Sequence, residues 1–257
     1  MAIVTLLTDS GKSDHYAGAI KAAILKVNPG INIVDISHQV EACDIAHGAF
    51  LLRSVFRDFP KGTVHLVGVD AIGNPGDAYI AIQLEDHFFV GVDNGLFGLI
   101  STKSHQQLAA LNTINTLEST FPEKDILAPA AAKLASGVAI TSLGKPMTTF
   151  KKMIDRHVKA TRKIISGHVI RVDHYGNLIT NIPKTDFDIL SKGKNFTVQF
   201  GSEKFKKIHT NYNQAEQGDC FLIFNSQGFL EIGIYKGNAN ELLGLIYDSP
   251  ISITFDD

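Results

Sequence analysis

Between Ile3 and Val92 the chain alternates short apolar runs with longer amphipathic ones, and almost every short run ends in a polar cluster. Ile3 to Leu7 and Ile31 to Ile36 have the length and apolarity of buried strands, as does Val64 to Val69. Tyr16 to Val27 repeats Ala17, Ile20, Ala23, Ile24 and Val27 at helical spacing, and Asp44 to Phe59 does the same with Ile45, Ala49, Leu52 and Phe56. Strand, helix, strand, helix, strand predicts an α/β layer with a mostly parallel sheet, because parallel neighbours need a crossover of about this length. Ala78 to Leu84 and His87 to Val92 read as two further strands joined by Glu85-Asp86, and Ala128 to Ser136 as an Ala-rich helix stopped by Gly137.

Beyond Lys151-Lys152 the texture changes to short β-type runs separated by Gly, Asn and Ser. They are Ile164 to Asp173, Asn177 to Asn181, Phe196 to Phe200, Cys220 to Asn225, Phe229 to Tyr235 and Ile251 to Phe255. The expectation is two domains: an α/β domain over residues 1–155 and an all-β, barrel-like domain over 163–257, joined by a charged stretch. At 257 residues and 44% hydrophobic the chain can bury cores of this size without staples.

A formal charge of -2 and scattered basic residues give no track for a nucleic-acid backbone. No apolar run approaches the length of a membrane span, and Cys43 and Cys220 have no metal-type or disulfide-framework spacing. A cytoplasmic protein with no membrane partner and no nucleic-acid partner is expected.

In open α/β sheets ligands bind beyond the carboxyl ends of the strands. Thr8-Asp9-Ser10-Gly11, Ser37-His38, the loop from Asp70 to Gly76 and Asp93-Asn94-Gly95 all fall there. Each alone is an ordinary cap or turn; together they mark a site. Asp9, Asp14, His15, His38, His65 and Asp70 are ligand types for a metal, but no helical i, i+4 pair or His-x-His pair accompanies them, so no metal is expected. Gly73-Asn74-Pro75-Gly76 lacks the lysine and spacing of a phosphate loop and reads as a turn. In the second half, Asp173-His174-Tyr175-Gly176-Asn177 reads as a hairpin turn with a left-handed Gly. It also offers a carboxylate, an aromatic face and an amide, and Asn211-Tyr212-Asn213 and Asn225-Ser226 add a second ring and a hydroxyl. These are parts for a nucleoside joined to an amino acid.

In order and type these segments resemble the S-adenosylmethionine hydroxide adenosyltransferases and the related fluorinases and chlorinases. The resemblance includes Asp35-Ile36-Ser37-His38, Asp44 to Ala49, Pro60 to Leu66, Ala128 to Ala132 and Asn225 to Ile232, and it spans nearly the whole chain. It implies an N-terminal α/β domain, a C-terminal β-barrel and a homotrimer with sites between subunits. Asp9 would hold the ribose hydroxyls, Asp173 the methionine ammonium and Ser226 its carboxylate. Asn177 would bond adenine, with Tyr175 and Tyr212 packed on it, and Asn94 and Phe121 fall in matching segments as further substrate contacts. S-adenosylmethionine or adenosine would be the ligand, with no cofactor.

The resemblance makes Asp70 the carboxylate that, with an arginine and a histidine, acts on the attacking water. The arginine is absent from Gly76-Asp77-Ala78 and the histidine from Thr120 to Asp125. The halogenases place a serine where this chain has Glu123, so halogenation is the activity least expected. Asp70, Asp77 and Glu123 are the carboxylates available as a substitute base. Hydrolysis of S-adenosylmethionine to adenosine and methionine is the activity the resemblance implies; a ligand-binding protein without turnover, and an enzyme with a changed substrate, are the alternatives.

Overall fold

The computed structural model describes residues 2–113, 119–154 and 156–256. The expected domain limits Met1, Asp155 and Asp257 lie outside these. The chain divides into two compact units, Met1–Ile154 and Asp155–Asp257. The charged stretch near residues 152 to 163, read as a join, includes a short strand, Lys159–Ala160, that pairs within the second unit.

In the first unit β1 (Ile3–Thr8), α1 (Tyr16–Val27), β2 (Asn32–Ser37), α2 (Ile45–Val55) and β3 (Val64–Gly68) follow one another as the periodicity predicts. Then come β4 (Tyr79–Leu84), β5 (His87–Val92), α3 (Leu96–Ile100), β6 (Gln107–Leu111), α4 (Ala128–Ala135) and β7 (Gly144–Pro146). The sheet order is β2-β1-β3-β5-β4-β6-β7. Pairs β1–β2, β1–β3 and β3–β5 are parallel, whereas β4–β5, β4–β6 and β6–β7 are antiparallel. The sheet is therefore mixed, which corrects the expectation of a mostly parallel one. The cause is local: a two-residue loop, Glu85-Asp86, can only reverse the chain.

Both loop residues are left-handed, Glu85 at φ 51° and Asp86 at φ 66°, the backbone of a tight hairpin turn that Asn and Gly usually supply. Side chains hold them there. Glu85 accepts from Arg57 Nη2 at 2.6 Å, Ser101 Oγ at 2.6 Å and Lys103 Nζ at 3.0 Å, and Asp86 from Lys61 at 2.8 Å. Arg57 foremost holds the Glu85 carboxyl down at about 2.

Helices cover both faces of this sheet. Val4, Leu6, Val64, Leu66 and Val90 pack with Ile20 and Ile24 of α1 and with Ala128 to Leu134 of α4. Leu7, Val67, Ile80, Ile82 and Phe89 face Leu52 and Phe56 from the α2 side and Leu96 and Phe97 of α3. Burial on both faces explains why β1 and β3 read as continuous apolar runs rather than alternating ones.

The second unit has β8 (Lys159–Ala160), β9 (Ile164–Val172), β10 (Leu178–Pro183), α5 (Lys184–Leu190), β11 (Phe196–Phe200), β12 (Glu203–Phe205), β13 (Cys220–Phe224), β14 (Phe229–Ile234), α6 (Ala239–Leu243) and β15 (Pro250–Phe255). All the strand pairs are antiparallel. β9 makes the sheet curl like half a barrel: Ile164 to His168 pair with β15, and Val169 to Val172 pair with β10. At the changeover the Asn181 side chain replaces a ladder partner, accepting from His168 N at 2.9 Å. One core of Ile165, Val169, Leu178, Phe200, Leu222, Leu230, Ile232 and Ile253 fills the curl. Among the described residues no helix is long and apolar enough to cross a membrane.

His65, named above as a ligand type, lies inside the first core. Its Nδ1 meets Thr5 Oγ1 at 2.7 Å and its Nε2 meets His87 Nδ1 at 3.2 Å, with the Phe89 ring stacked at 4.9 Å. Desolvation drives this imidazole down to about 3 from 6.5. The unfolded chain then binds a proton that the folded chain refuses between those values, so stability falls as pH drops through that window, by at most about 1.4 kcal/mol per pH unit. Urea unfolding at pH 7 and pH 5 should show a smaller loss for His65→Leu than for the unmodified chain; equal losses would contradict this role.

Candidate functional site

In the first unit the loops after β1, β3 and β5 converge. The Asp9 carboxylate is the fixed point: its Oδ2 accepts from Cys43 N at 2.9 Å and from Asp70 N at 3.0 Å. Both donors belong to non-glycine residues with left-handed backbone, φ 60° at Cys43 and 48° at Asp70. Such residues cost roughly 1–3 kcal/mol each and persist only where their surroundings hold them. A charged acceptor for each N–H is such a hold.

The Asp70 side chain has Asp9, Asp77 and Cys43 as neighbours. Burial, and then the negative charge of Asp9, raise its carboxyl above the ordinary range, while the neighbouring Cys43 thiol works the other way. Asp77 is tied to Lys151, whose backbone N also donates to Asp93 Oδ1 at 2.8 Å. The segment carrying Lys151 thus straps across the loops at the ends of β4 and β5. The loop between Asp70 and Asp77 is two turns, closed by Gly73 N to Asp70 O at 3.1 Å and Asp77 N to Asn74 O at 3.0 Å, as its sequence predicts.

Glu123 reaches the same edge. It opens a π-helical turn, Glu123–Leu127, just before α4, and its side chain lies across Gly68 at the end of β3. A Cβ on Gly68 would stand 2.7 Å from Glu123 Cγ, so the glycine leaves the space that Glu123 occupies. Burial first, and Asp9 less, raise its carboxyl too.

Other expected members have different surroundings. Asn94 gives both ends of its amide to the backbone, Nδ2 to Val69 O at 3.0 Å and Oδ1 from Leu96 N at 3.2 Å, fastening β3 to the start of α3. Phe121 stands edge-on to Tyr16 at 5.2 Å, in a group with His15 at the head of α1. His38 Nδ1 meets Thr8 Oγ1 at 2.8 Å, and its Nε2 lies 3.2 Å from Asp35 Oδ1, off the line of a hydrogen bond. Among the described residues no group of three His, Cys, Asp or Glu side chains is arranged to hold a metal ion.

In the second unit a pocket of about 370 Å³ is lined by Asp173, Tyr175, Asn177, Tyr212, Phe221, Glu231, Ile234, Tyr235 and Lys236. Four of these are residues singled out from the sequence. The hairpin turn between β9 and β10 is built by Asp173, whose Oδ1 accepts from Tyr175 N at 2.8 Å and Asn177 N at 2.9 Å, with Gly176 left-handed at φ 81°. Tyr212 is delivered from the other side: His209 N bonds Leu222 O at 2.6 Å along β13, and Asn211 then caps the short helical turn that starts at Tyr212. Its ring stands edge-on to Phe221 at 5.2 Å. Tyr175 is 75% exposed and Tyr212 42%, so both rings retain faces for a ligand. Ser226 is exposed on the turn between β13 and β14, outside the pocket lining.

Sequence reasoning assigned no role to Glu231, which is 4% exposed on β14. Its Oε1 accepts from Tyr212 Oη at 3.2 Å and its Oε2 from Asn225 Nδ2 at 3.1 Å. Burial raises its carboxyl, and burial together with Glu231 pushes the Tyr212 phenol up to about 12. A charged residue between Leu230 and Ile232 was the available signal.

Comparison with known proteins gives the same order of segments a family. The SAM hydroxide adenosyltransferase N-terminal domain matches residues 4–144 and the corresponding C-terminal domain residues 167–252. An (R)-S-adenosyl-L-methionine hydrolase of Methanocaldococcus jannaschii is 31% identical, over 98% of this chain and 96% of its own length. One of Thermus thermophilus is 29% identical over 98% and 100%. A fluorinase of an Actinoplanes species is 24% identical over 90% of each. A crystal structure of an uncharacterized conserved protein from Thermotoga maritima superposes with a TM-score of 0.89 at 29% identity, covering 98% of this chain and 99% of that one. The chain belongs to the SAM hydroxide adenosyltransferase family.

Gly233 decides how closely the pocket walls approach. A Cβ there would stand 2.1 Å from the Phe221 ring and 2.5 Å from Asn177 Oδ1. Gly233→Ala is expected to cost about 1–3 kcal/mol by overpacking, read as a lower urea midpoint, and to displace Asn177. An unchanged midpoint would contradict the packing described.

Proposed function

We propose that this member of the SAM hydroxide adenosyltransferase family hydrolyses S-adenosylmethionine to adenosine and L-methionine. The observation that carries the reading is the pocket in which Asp173, Tyr175, Asn177 and Tyr212 come together. It combines a carboxylate for an ammonium, two phenol rings for a purine and an amide for its edge. Relatives named as (R)-S-adenosyl-L-methionine hydrolases, similar over nearly their whole length, support it further.

In this reading Asp173 holds the methionine ammonium and Ser226 its carboxylate. Asn177 bonds adenine between Tyr175 and Tyr212, and Asn94 and Phe121 complete the surroundings. Asp9 keeps Oδ1 for the ribose hydroxyls while Oδ2 holds the two backbone N–H groups. Water attacks the ribose 5' carbon as the carbon–sulfur bond breaks. The bonding pair neutralises the sulfonium, so methionine leaves without a general acid. The proton of the attacking water passes to a carboxylate, for which Asp70 is the first choice because its raised pKa makes it a better base than an ordinary aspartate. Halide transfer fits poorly, since Asp9, Asp70 and Glu123 would repel an anion at this edge. No cofactor is needed. A homotrimer with sites between subunits, in the cytoplasm, completes the proposal.

A second reading has one observation in its favour. Asp70 has two carboxylates, Asp9 and Asp77, and the Cys43 thiol for neighbours, where the family resemblance implies an arginine and a histidine. A protein that binds S-adenosylmethionine without turnover would look the same.

Incubation of the purified chain with S-adenosylmethionine, with adenosine followed by chromatography and binding by calorimetry, separates the two. The expected result is adenosine formation that falls about 10²- to 10⁴-fold in Asp70→Asn with affinity retained. Asp173→Asn is expected to weaken binding. Binding without adenosine would favour the second reading, and no binding would overturn both.

A further inference from the structure

Glu231 stands in mid-strand, opposite Ile223 on β13 and Ile179 on β10. Taking a carboxylate out of water at such a place costs several kcal/mol unless its oxygens are satisfied. Its hydrogen-bond partners are both neutral, the Tyr212 hydroxyl and the Asn225 amide, so no opposite charge offsets the desolvation through these bonds. An apolar side chain of similar volume would fill the position with no such cost, which makes packing alone a poor reason for a carboxyl here.

What the carboxyl alone can do is accept from two donors at once, and those donors come from separate segments. Tyr212 belongs to the turn Tyr212–Gln214, between β12 and β13. Asn225 opens the turn between β13 and β14, where its Oδ1 accepts from Gln227 N and Phe229 N, both at 3.1 Å. Glu231 Oε2 takes the Nδ2 end of that amide and so dictates which end faces the turn that presents Ser226. We infer that Glu231 is a positioning residue for the ligand pocket: one buried carboxyl fixes Tyr212 on one wall and the Ser226 turn beside another. Its effect on ligand affinity rests on the function proposed above; its hold on the two turns does not.

Glu231→Gln is nearly isosteric but presents an N–H₂ group to one of the two donors, so it breaks one hydrogen bond and frees the other to rearrange. In the full chain, amide hydrogen exchange of residues 210–214 and 225–229 is expected to speed up, with the strand segments of β13 and β14 unchanged. The Kd for S-adenosylmethionine should rise about tenfold, equivalent to ~1.4 kcal/mol, while kcat at saturation stays within about threefold. Tyr212→Phe should cost affinity in the unmodified chain but less than about twofold in the Glu231→Gln background, the non-additivity of groups that act as one. A purely structural carboxyl would lower the unfolding midpoint without that coupling. Tyr212→Phe alone, which leaves the carboxyl in place, should speed exchange at 210–214 only, and it serves if Glu231→Gln does not fold. Unchanged exchange in the affected turns, or affinity losses that simply multiply, would overturn the inference. If the unmodified chain binds neither S-adenosylmethionine nor adenosine, the proposed function falls, and the exchange rates alone decide the role of Glu231.

Discussion

Just past the end of β1, one carboxylate oxygen of Asp9 accepts from two backbone N–H groups, that of Cys43 in the loop between β2 and α2 and that of Asp70 after β3. The arrangement fixes three loops by a single atom. It holds Cys43 and Asp70 in left-handed conformations that neither side chain prefers, and so makes the Cys43 thiol a neighbour of the Asp70 carboxyl. With Glu123 lying over Gly68, the edge of the sheet gathers carboxyls, and burial first, with the charge of Asp9 second to it, raises Asp70 and Glu123 alike. Under the proposed function this arrangement would supply a carboxyl of raised basicity at a fixed place.

The second unit reaches order by the same means in another setting. Asp173 builds the β9–β10 turn from its own backbone contacts, and Glu231 joins two further turns across β14. In both units, then, a carboxylate with more than one donor defines the geometry of loops that the strands only bring near. At Asp173 the donors are its near neighbours and the turn is local; Asp9 and Glu231 instead couple separate segments, Asp9 through backbone N–H groups and Glu231 through side chains.

Much of this was legible beforehand. β1 and β3 announce themselves because burial on both faces makes them continuous, α1 and α2 because their apolar residues are periodic, and the edge strand β2 because Pro29-Gly30 breaks the chain before it. The turn at Asp173 to Asn177 was legible because Gly after an aromatic and before Asn is turn chemistry. The mixed sheet was missed because the parallel layer was read from β1 to β3 and the short joint Glu85-Asp86, although read as joining two strands, was not weighed as a reversal of the chain. β6, α5 and α6 are short and gain their order from packing rather than from periodicity. Glu231 escaped because strand alternation assigns it to a solvent face, and only the fold covers that face with Tyr212 and Asn225. The partnership of Cys43 with Asp70 has no local signature, since 27 residues separate them and only the Asp9 contact brings them together.

The chemistry attributed to this arrangement is the transfer of a water oxygen to the ribose 5' carbon with loss of a neutral thioether. Turnover of S-adenosylmethionine in water enriched in oxygen-18, followed by mass spectrometry of both products, tests it most directly. The account predicts adenosine carrying one heavy oxygen and methionine carrying none. Unlabelled adenosine, or cleavage at any other bond of the sulfonium, would contradict it.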